Sequence, residues 1–321
     1  MSNITGIHHV TAISGPAQEN LDFYAGILGM RLVKRSVNQD DPSTYHLFYA
    51  DAVGHAGSDL TFFPWADMPR GRDGTGLTNE VSLAIPTGSL GYWQERLARY
   101  RVSTGAVETR FGERVLPFTD VHGLEVALAE TSDAREFTPW DGSPVPAAHQ
   151  IRGLHTVRIS ERTLAPTERM LTNGMGFALG AEENGWKRYA LGEGGSGRIV
   201  DVQELPGVAR GAWGTGRVHH VAWRVPNDEA HLAARMQIQG AGARPTEVID
   251  RFWFKSIYFG EPGGALFELA TDGPGFGIDE HESSLGSRLI LPPWLELHRE
   301  EIERGLPALV MPASELSSAS R

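Results

Sequence analysis

The residues best equipped for chemistry are two histidine pairs, His8-His9 and His219-His220, and one carboxylate, Glu268, set in the apolar run Gly264-Ala-Leu-Phe-Glu-Leu-Ala270. A carboxylate buried in such a strand is costly unless a cation or strong donors meet it. Successive side chains of a strand face opposite sides, so one histidine of each pair should line a shared concave surface and act as a ligand. Two neutral imidazoles and a carboxylate form the donor set of non-haem metal oxygenases, typically with Fe(II), and leave adjacent coordination positions open. The chain has no cysteine. Disulfides, thiolate nucleophiles, Cys-ligated zinc and iron–sulfur clusters are thereby excluded, and His, Asp and Glu are the ligands that remain.

The elements that must position these residues come as a fourfold repeat. Each unit begins with a short apolar strand: Ile7–Ile13, Val81–Ile85, Leu154–Ile159 and Val218–Val225. Helices are expected over Gln18–Leu28, Leu90–Tyr100, Leu164–Thr172 and Asp228–Gln239, stopped by Gly29, Gly105, Gly174 and Gly240. In the first, Leu21, Tyr24, Ala25 and Leu28 make one apolar face. Closing strands follow at Leu60–Phe63, Leu124–Leu128, Ile199–Val202 and Ala265–Leu269, giving a βαβββ unit. Units one and four carry the histidine pairs, while unit two offers Val81-Ser82 and unit three His155-Thr156 at the matching places. The expected fold is α+β: four βαβββ modules in two domains, modules one and two over residues 1–135 and modules three and four over 151–275. The polar, proline-bearing stretch 136–150 reads as a linker, and 276–321 as a tail with a short helix between Pro293 and Gly305.

At 321 residues, 40% hydrophobic and 21% charged, the chain has ordinary globular composition. Its net charge of −11, with scattered Lys and Arg, lacks the footprint of a nucleic-acid binder. The opening MSNITGIHHV has no signal-peptide character, and no apolar run is long enough for a membrane span, so a cytoplasmic location is expected. The sequence leaves the oligomeric state open, a homo-oligomer included.

Taken together, Gly6-Ile-His-His-Val-Thr11, Asp22-Phe-Tyr24, Val33-Lys-Arg35, Tyr45-His-Leu-Phe48, Phe62-Phe-Pro64, Thr109-Arg-Phe-Gly112, His219-His220, Pro262-Gly-Gly264 and Phe267-Glu268 resemble the vicinal-oxygen-chelate superfamily. The nearest likeness is to its ring-cleaving hydroquinone and chlorohydroquinone dioxygenases, over essentially the whole chain. That resemblance implies a metal, Fe(II) or alternatively Mn(II), on His9, His220 and Glu268, with a small aromatic diol and O2 as reactants. It also implies catalytic roles for His8, Thr11, His219, Arg251 and Tyr258. A continuous strand across Asp250–Tyr258 would place Arg251 and Tyr258 on opposite faces.

Three other readings use the same residues: a catechol-type extradiol dioxygenase, a glyoxalase-like isomerase, and a non-catalytic small-molecule binder. Glyoxalase chemistry favours a second carboxylate ligand, which neither histidine pair supplies. The string Gly192-Glu-Gly-Gly-Ser-Gly197 fits a dinucleotide fingerprint, but a strand follows it where that fingerprint needs a helix, so it reads as a hairpin loop. Asn3-Ile-Thr5 is a glycosylation sequon without a secretory context, and His281 and His298 read as solvated tail residues.

Overall fold

The computed structural model describes residues 3–312; the last stretch of the expected tail lies outside the described residues. All four repeats form. Unit one comprises β1 (Gly6–Ser14), α1 (Ala17–Leu21, continued by π-helical Asp22–Ile27), β2 (Arg31–Asn38), β3 (Asp41–Ala50) and β4 (Asp59–Pro64). Unit two comprises β5 (Leu77–Pro86), α2 (Leu90–Arg99), β6 (Glu108–Arg110), β7 (Glu113–Thr119) and β8 (Glu125–Thr131). Unit three comprises β9 (Gly153–Glu161), α3 (Leu164–Arg169, continued by π-helical Met170–Gly174), β10 (Ala178–Glu183), β11 (Trp186–Ala190) and β12 (Ile199–Glu204). Unit four comprises β13 (Arg217–Val225), α4 (Asp228–Gly240), β14 (Ile249–Asp250), β15 (Lys255–Gly260) and β16 (Leu266–Thr271). A 3-10 stretch, Pro293–His298, and α5 (Arg299–Gly305) close the tail. Among the described residues, no helix is long and apolar enough to cross a membrane.

Local physics accounts for these elements. Leu21, Tyr24, Ala25 and Leu28 are all buried, and Gly29, at φ +70°, ends the helix in the left-handed conformation that glycine adopts freely. Asn227 caps α4 by accepting from the Ala230 amide. Before β16, Glu261 turns the chain by accepting from the amides of Gly264 and Ala265. The Gly192–Gly197 string joins antiparallel β11 and β12, so it is the hairpin loop expected.

The strands make two eight-stranded sheets, ordered β14-β15-β16-β13-β1-β4-β3-β2 and β10-β11-β12-β9-β5-β8-β7-β6. This departs from the expectation that modules pair in chain order. Module one shares a sheet with module four, and module two with module three. Within each module the first strand is left at one border, beside its parallel closing strand. The open edge of β1 takes β13 as its antiparallel neighbour, and that of β5 takes β9. Residues 1–135 therefore supply half of each sheet.

Register places the site. In β1, His8 is an extra residue between the pairs Ile7↔Trp223 and His9↔Ala222; in β13, His219 is extra between Thr11↔His220 and Ala12↔Val218. Both are β-bulges, which bend the strand and re-aim a side chain. The second sheet has bulges at the matching points, Asn79 in β5 and His155 in β9. Asn79-Glu80, rather than Val81-Ser82, thus stands where His8-His9 stands in unit one. Phe267 and Leu269 join the main apolar core with Val221 and Trp223, while Glu268 points to the other face of β16.

Candidate metal centre and cavity

His9, His220 and Glu268 come together from β1, β13 and β16. One ligand atom from each lies within 4.8 Å of the others. Nε2 of His9 is 3.2 Å from Nε2 of His220, and these nitrogens lie 3.4 and 3.0 Å from Glu268 Oε2. All three residues are buried, Glu268 completely. Ala222, the cross-strand partner of both His9 and Glu268, has a side chain small enough to leave room between them.

The carboxylate is half satisfied. Ser256 Oγ donates to Glu268 Oε1 at 2.5 Å, whereas the buried Oε2 has no hydrogen-bond partner of good geometry despite the nearby imidazoles. An unsatisfied carboxylate oxygen in the interior is expensive, and a divalent cation between Oε2 and the two Nε2 atoms is the chemistry that answers it. Burial alone would favour the neutral acid, but the facing His9 and His220 outweigh it and hold Glu268 well below the usual carboxylate range. Burial pushes the His220 imidazole down from its ordinary value. Burial and then the neighbouring ligand histidine push His8 and His219 to about 3. Neutral imidazoles keep the lone pairs that metal binding requires.

The members of each pair do not take opposite faces. His8 and His9 meet Nδ1 to Nδ1 at 3.0 Å, and His219 and His220 at 2.8 Å, because the bulges swing His8 and His219 toward their neighbours. A ligand histidine binding through Nε2 carries its proton on Nδ1 and donates it to its partner. The Thr271 backbone also lies close enough to His8 to favour its protonated form slightly. His219 also lines the cavity, stacked on Trp213 at 5.0 Å.

The remaining expected residues surround this centre. Thr11 Oγ1 lies 3.0 Å from His220 Nε2 and 2.7 Å from Thr61 Oγ1, which lies 2.9 Å from His46 Nε2. Tyr258 is the cross-strand partner of Glu268 on β15 and meets the His220 ring edge-on at 5.7 Å. Arg251 and Tyr258 do share the cavity, with the guanidinium 5.5 Å from the phenol ring centre. The strand is interrupted between them: Phe252 sits at φ +72°, and the resulting turn from Arg251 to Phe254 resets the alternation. Arg251 grips Asp40 with both terminal nitrogens, at 3.1 and 2.8 Å, and this hydrogen bonding holds the Asp40 carboxyl below its usual range.

Ser256, His46, Thr61, Asp40 and the wall Phe48, Phe63, Trp253 and Phe254 were not anticipated as site residues. Ser256 had a legible signal, since it stands two residues from Tyr258 on the same face of β15; Asp40 had none. The cavity measures about 380 Å³. Phe48, Phe63, Trp65, Trp253, Phe254 and Tyr258 line it together with His9 and His220 of the cluster. His281 and His298 are exposed, as expected.

Comparison with known proteins places this architecture. The family model described as Glyoxalase/Bleomycin resistance protein/Dioxygenase superfamily matches residues 6–128. The chain is 41% identical over 94% of its length and 95% of the relative's to MhqO of Bacillus subtilis, whose name is that of a ring-cleaving dioxygenase. It is 32% identical, over 94% and 95% of the two chains, to the chlorohydroquinone/hydroquinone 1,2-dioxygenase of Sphingobium indicum. A crystal structure of a Bacillus subtilis protein described as a dioxygenase superposes with TM-score 0.91 at 39% identity, covering 97% of this chain and 99% of that one. Glyoxalase I of Zea mays, at 13% identity and TM-score 0.63 over 83% and 92% of the chains, shares the fold. With relatives this similar along nearly its full length, the chain belongs to the glyoxalase/bleomycin resistance protein/dioxygenase superfamily, in the branch that holds the ring-cleaving dioxygenases.

Proposed function

We propose that this protein opens the ring of a hydroquinone-type aromatic diol with O2 at an Fe(II) centre held by His9, His220 and Glu268, with Mn(II) accepted by the same donors. A cytoplasmic location belongs to the same reading. The observation that carries it is the orphaned, buried Oε2 of Glu268 within 3.4 Å of the Nε2 atoms of His9 and His220, two residues that line a cavity holding Phe48, Phe63, Trp253 and Phe254. A bound Fe(II) supplies the Lewis acidity that lowers a phenol's pKa and an electron path between ring and O2.

The chain's own residues bind, orient and move protons. Phe48, Phe63, Trp253 and Phe254 line the cavity and offer apolar ring surface to an aromatic substrate. Burial, and then Glu268, raise the Tyr258 phenol above its usual value, so Tyr258 remains protonated and acts as a donor toward the substrate. Arg251 holds positive charge beside Tyr258 to favour developing oxyanion character. His219, neutral and with its Nδ1 engaged by His220, presents its Nε2–H on the cavity side as a hydrogen-bond donor toward a substrate oxygen. The Thr11–Thr61–His46 hydroxyl path keeps this end of the cavity hydrogen-bonded.

The site has one carboxylate ligand, which favours oxygen chemistry over glyoxalase chemistry. Oxygen uptake by the Fe(II)-loaded protein across hydroquinone, chlorohydroquinones, catechol and methylglyoxal–glutathione tests the reading. Hydroquinones should drive uptake, and E268Q should abolish it along with iron retention. Preference for catechol would overturn the substrate assignment, and an E268Q variant with full iron and normal uptake would overturn the ligand set.

A further inference from the structure

We propose that Asp40 is a specificity-determining residue that turns away ring-carboxylated diols and reserves the cavity for rings with uncharged substituents; this rests on the dioxygenase reading above. Among the described residues lining the cavity, Arg251 is the one Arg or Lys, and both of its terminal nitrogens are committed to the Asp40 carboxylate. A bidentate guanidinium–carboxylate pair fills the fork that a substrate carboxylate would otherwise use. The turn between β2 and β3 grips the same residue a second time, through Gln39 Nε2 donating to the Arg251 carbonyl at 2.9 Å.

Among the described residues no second side-chain cation is free at this end of the cavity. Lys34, beneath the Trp253 wall, is bound by Asp279 at 2.6 Å and by Glu280. Asp41 adds a second carboxylate to the lining, held by Ser43 Oγ at 2.6 Å and by Trp65 Nε1 at 3.0 Å. An aryl carboxylate entering here meets the Asp41 charge and a guanidinium already neutralised by Asp40, and like-charge juxtaposition is how a site rejects a wrong partner. A hydrogen, methyl or halogen substituent meets only the aromatic wall.

The Asp40 side chain is 73% exposed, so exchanging it does not empty the core, and Gln39 still anchors the Arg251 backbone. The test uses gentisate, a carboxylated hydroquinone, against its methyl ester, which has the same ring without the charge. Binding is read by tryptophan quenching, since Trp65 and Trp253 line the cavity, and turnover by oxygen uptake of the Fe(II)-loaded protein. Wild type should favour the ester, D40N should shift the acid-to-ester ratio toward the acid by about tenfold or more, and D40E should keep the wild-type ratio. A wild-type ratio near one, equal rejection of acid and ester, or an unchanged ratio in D40N would overturn the proposal. A shifted binding ratio without oxygen uptake on any hydroquinone would uphold the role of Asp40 while sinking the dioxygenase reading.

Discussion

The histidine pairs make a quantitative prediction. With His9 binding through Nε2, its Nδ1 proton goes to His8 Nδ1, 3.0 Å away. Replacing His8 by Phe keeps a ring beside Phe254 but removes the acceptor, leaving a buried N–H unsatisfied at a cost of about 1–3 kcal/mol. Loss of such an orienting partner lowers metal affinity about 10–100-fold, which is about 1.4–2.8 kcal/mol. H219F removes the matching acceptor from His220 at 2.8 Å, but His219 lines the cavity and is only half-buried. Water can take over there, so its loss should be under about tenfold. Competition with a calibrated chelator measures both affinities on proteins of verified secondary structure. Wild-type affinity in H8F, or a larger loss in H219F than in H8F, would refute the tautomer argument.

Three further outcomes follow from the same structure. S256A removes the donor to Glu268 Oε1 from a fully buried pair and should lower the stability of metal-free protein by about 1.5–3 kcal/mol; an unchanged urea midpoint counts against it. Stripping the metal should lower Tm, because ion at a hundredfold excess over Kd adds about 2.7 kcal/mol, and E268Q should lose this metal-dependent shift; an equal shift in E268Q contradicts the ligand set. Burial, and then Glu261, push the Glu161 carboxyl up to about 9, so in the fold it stays neutral where the unfolded chain ionises. Stability from this group is therefore present below the unfolded value near 4.5 and is lost as pH rises toward 9. E161Q, which cannot ionise, should gain Tm over wild type progressively from pH 5 to pH 9; a constant difference would show that Glu161 does not titrate as argued.

The repeat and the three residues of the candidate metal centre were legible in the sequence for different reasons. Strand and helix periods repeat with the unit, so each element is announced locally, as by the Leu21-Tyr24-Ala25-Leu28 stripe. The ligands were visible because a carboxylate among apolar residues and two histidine pairs at like positions need a common explanation. Module pairing was not legible, since the free edges of β1 and β13 are set by hydrogen bonding between distant segments. Strict alternation also misled wherever the backbone breaks it. The bulges at His8 and His219 brought paired rings into contact, and the Phe252 turn brought Arg251 and Tyr258 into one cavity. At this site the breaks matter because they re-aim side chains that a regular strand would separate.

The second sheet shows what sets the candidate metal centre of the first apart. Across the first, the register row His9–Ala222–Glu268 sets two ligands on either side of a methyl group. Across the second, the matching row is Glu80–Arg158–Asp201, with Thr156 in the place of His220. The bulges are conserved between the two sheets, so backbone geometry does not distinguish them. The difference is charge and volume. Arg158 occupies the space that Ala222 leaves open, and Arg110 and Arg188 pair with Glu80 and Asp201 at 2.5 and 2.8 Å. There the carboxylates already have their cations, held covalently by the chain, whereas Glu268 Oε2 has none. A buried acidic position must be neutralised: in the second sheet Arg110 and Arg188 do so from other strands, whereas no guanidinium reaches Glu268 Oε2 among the described residues.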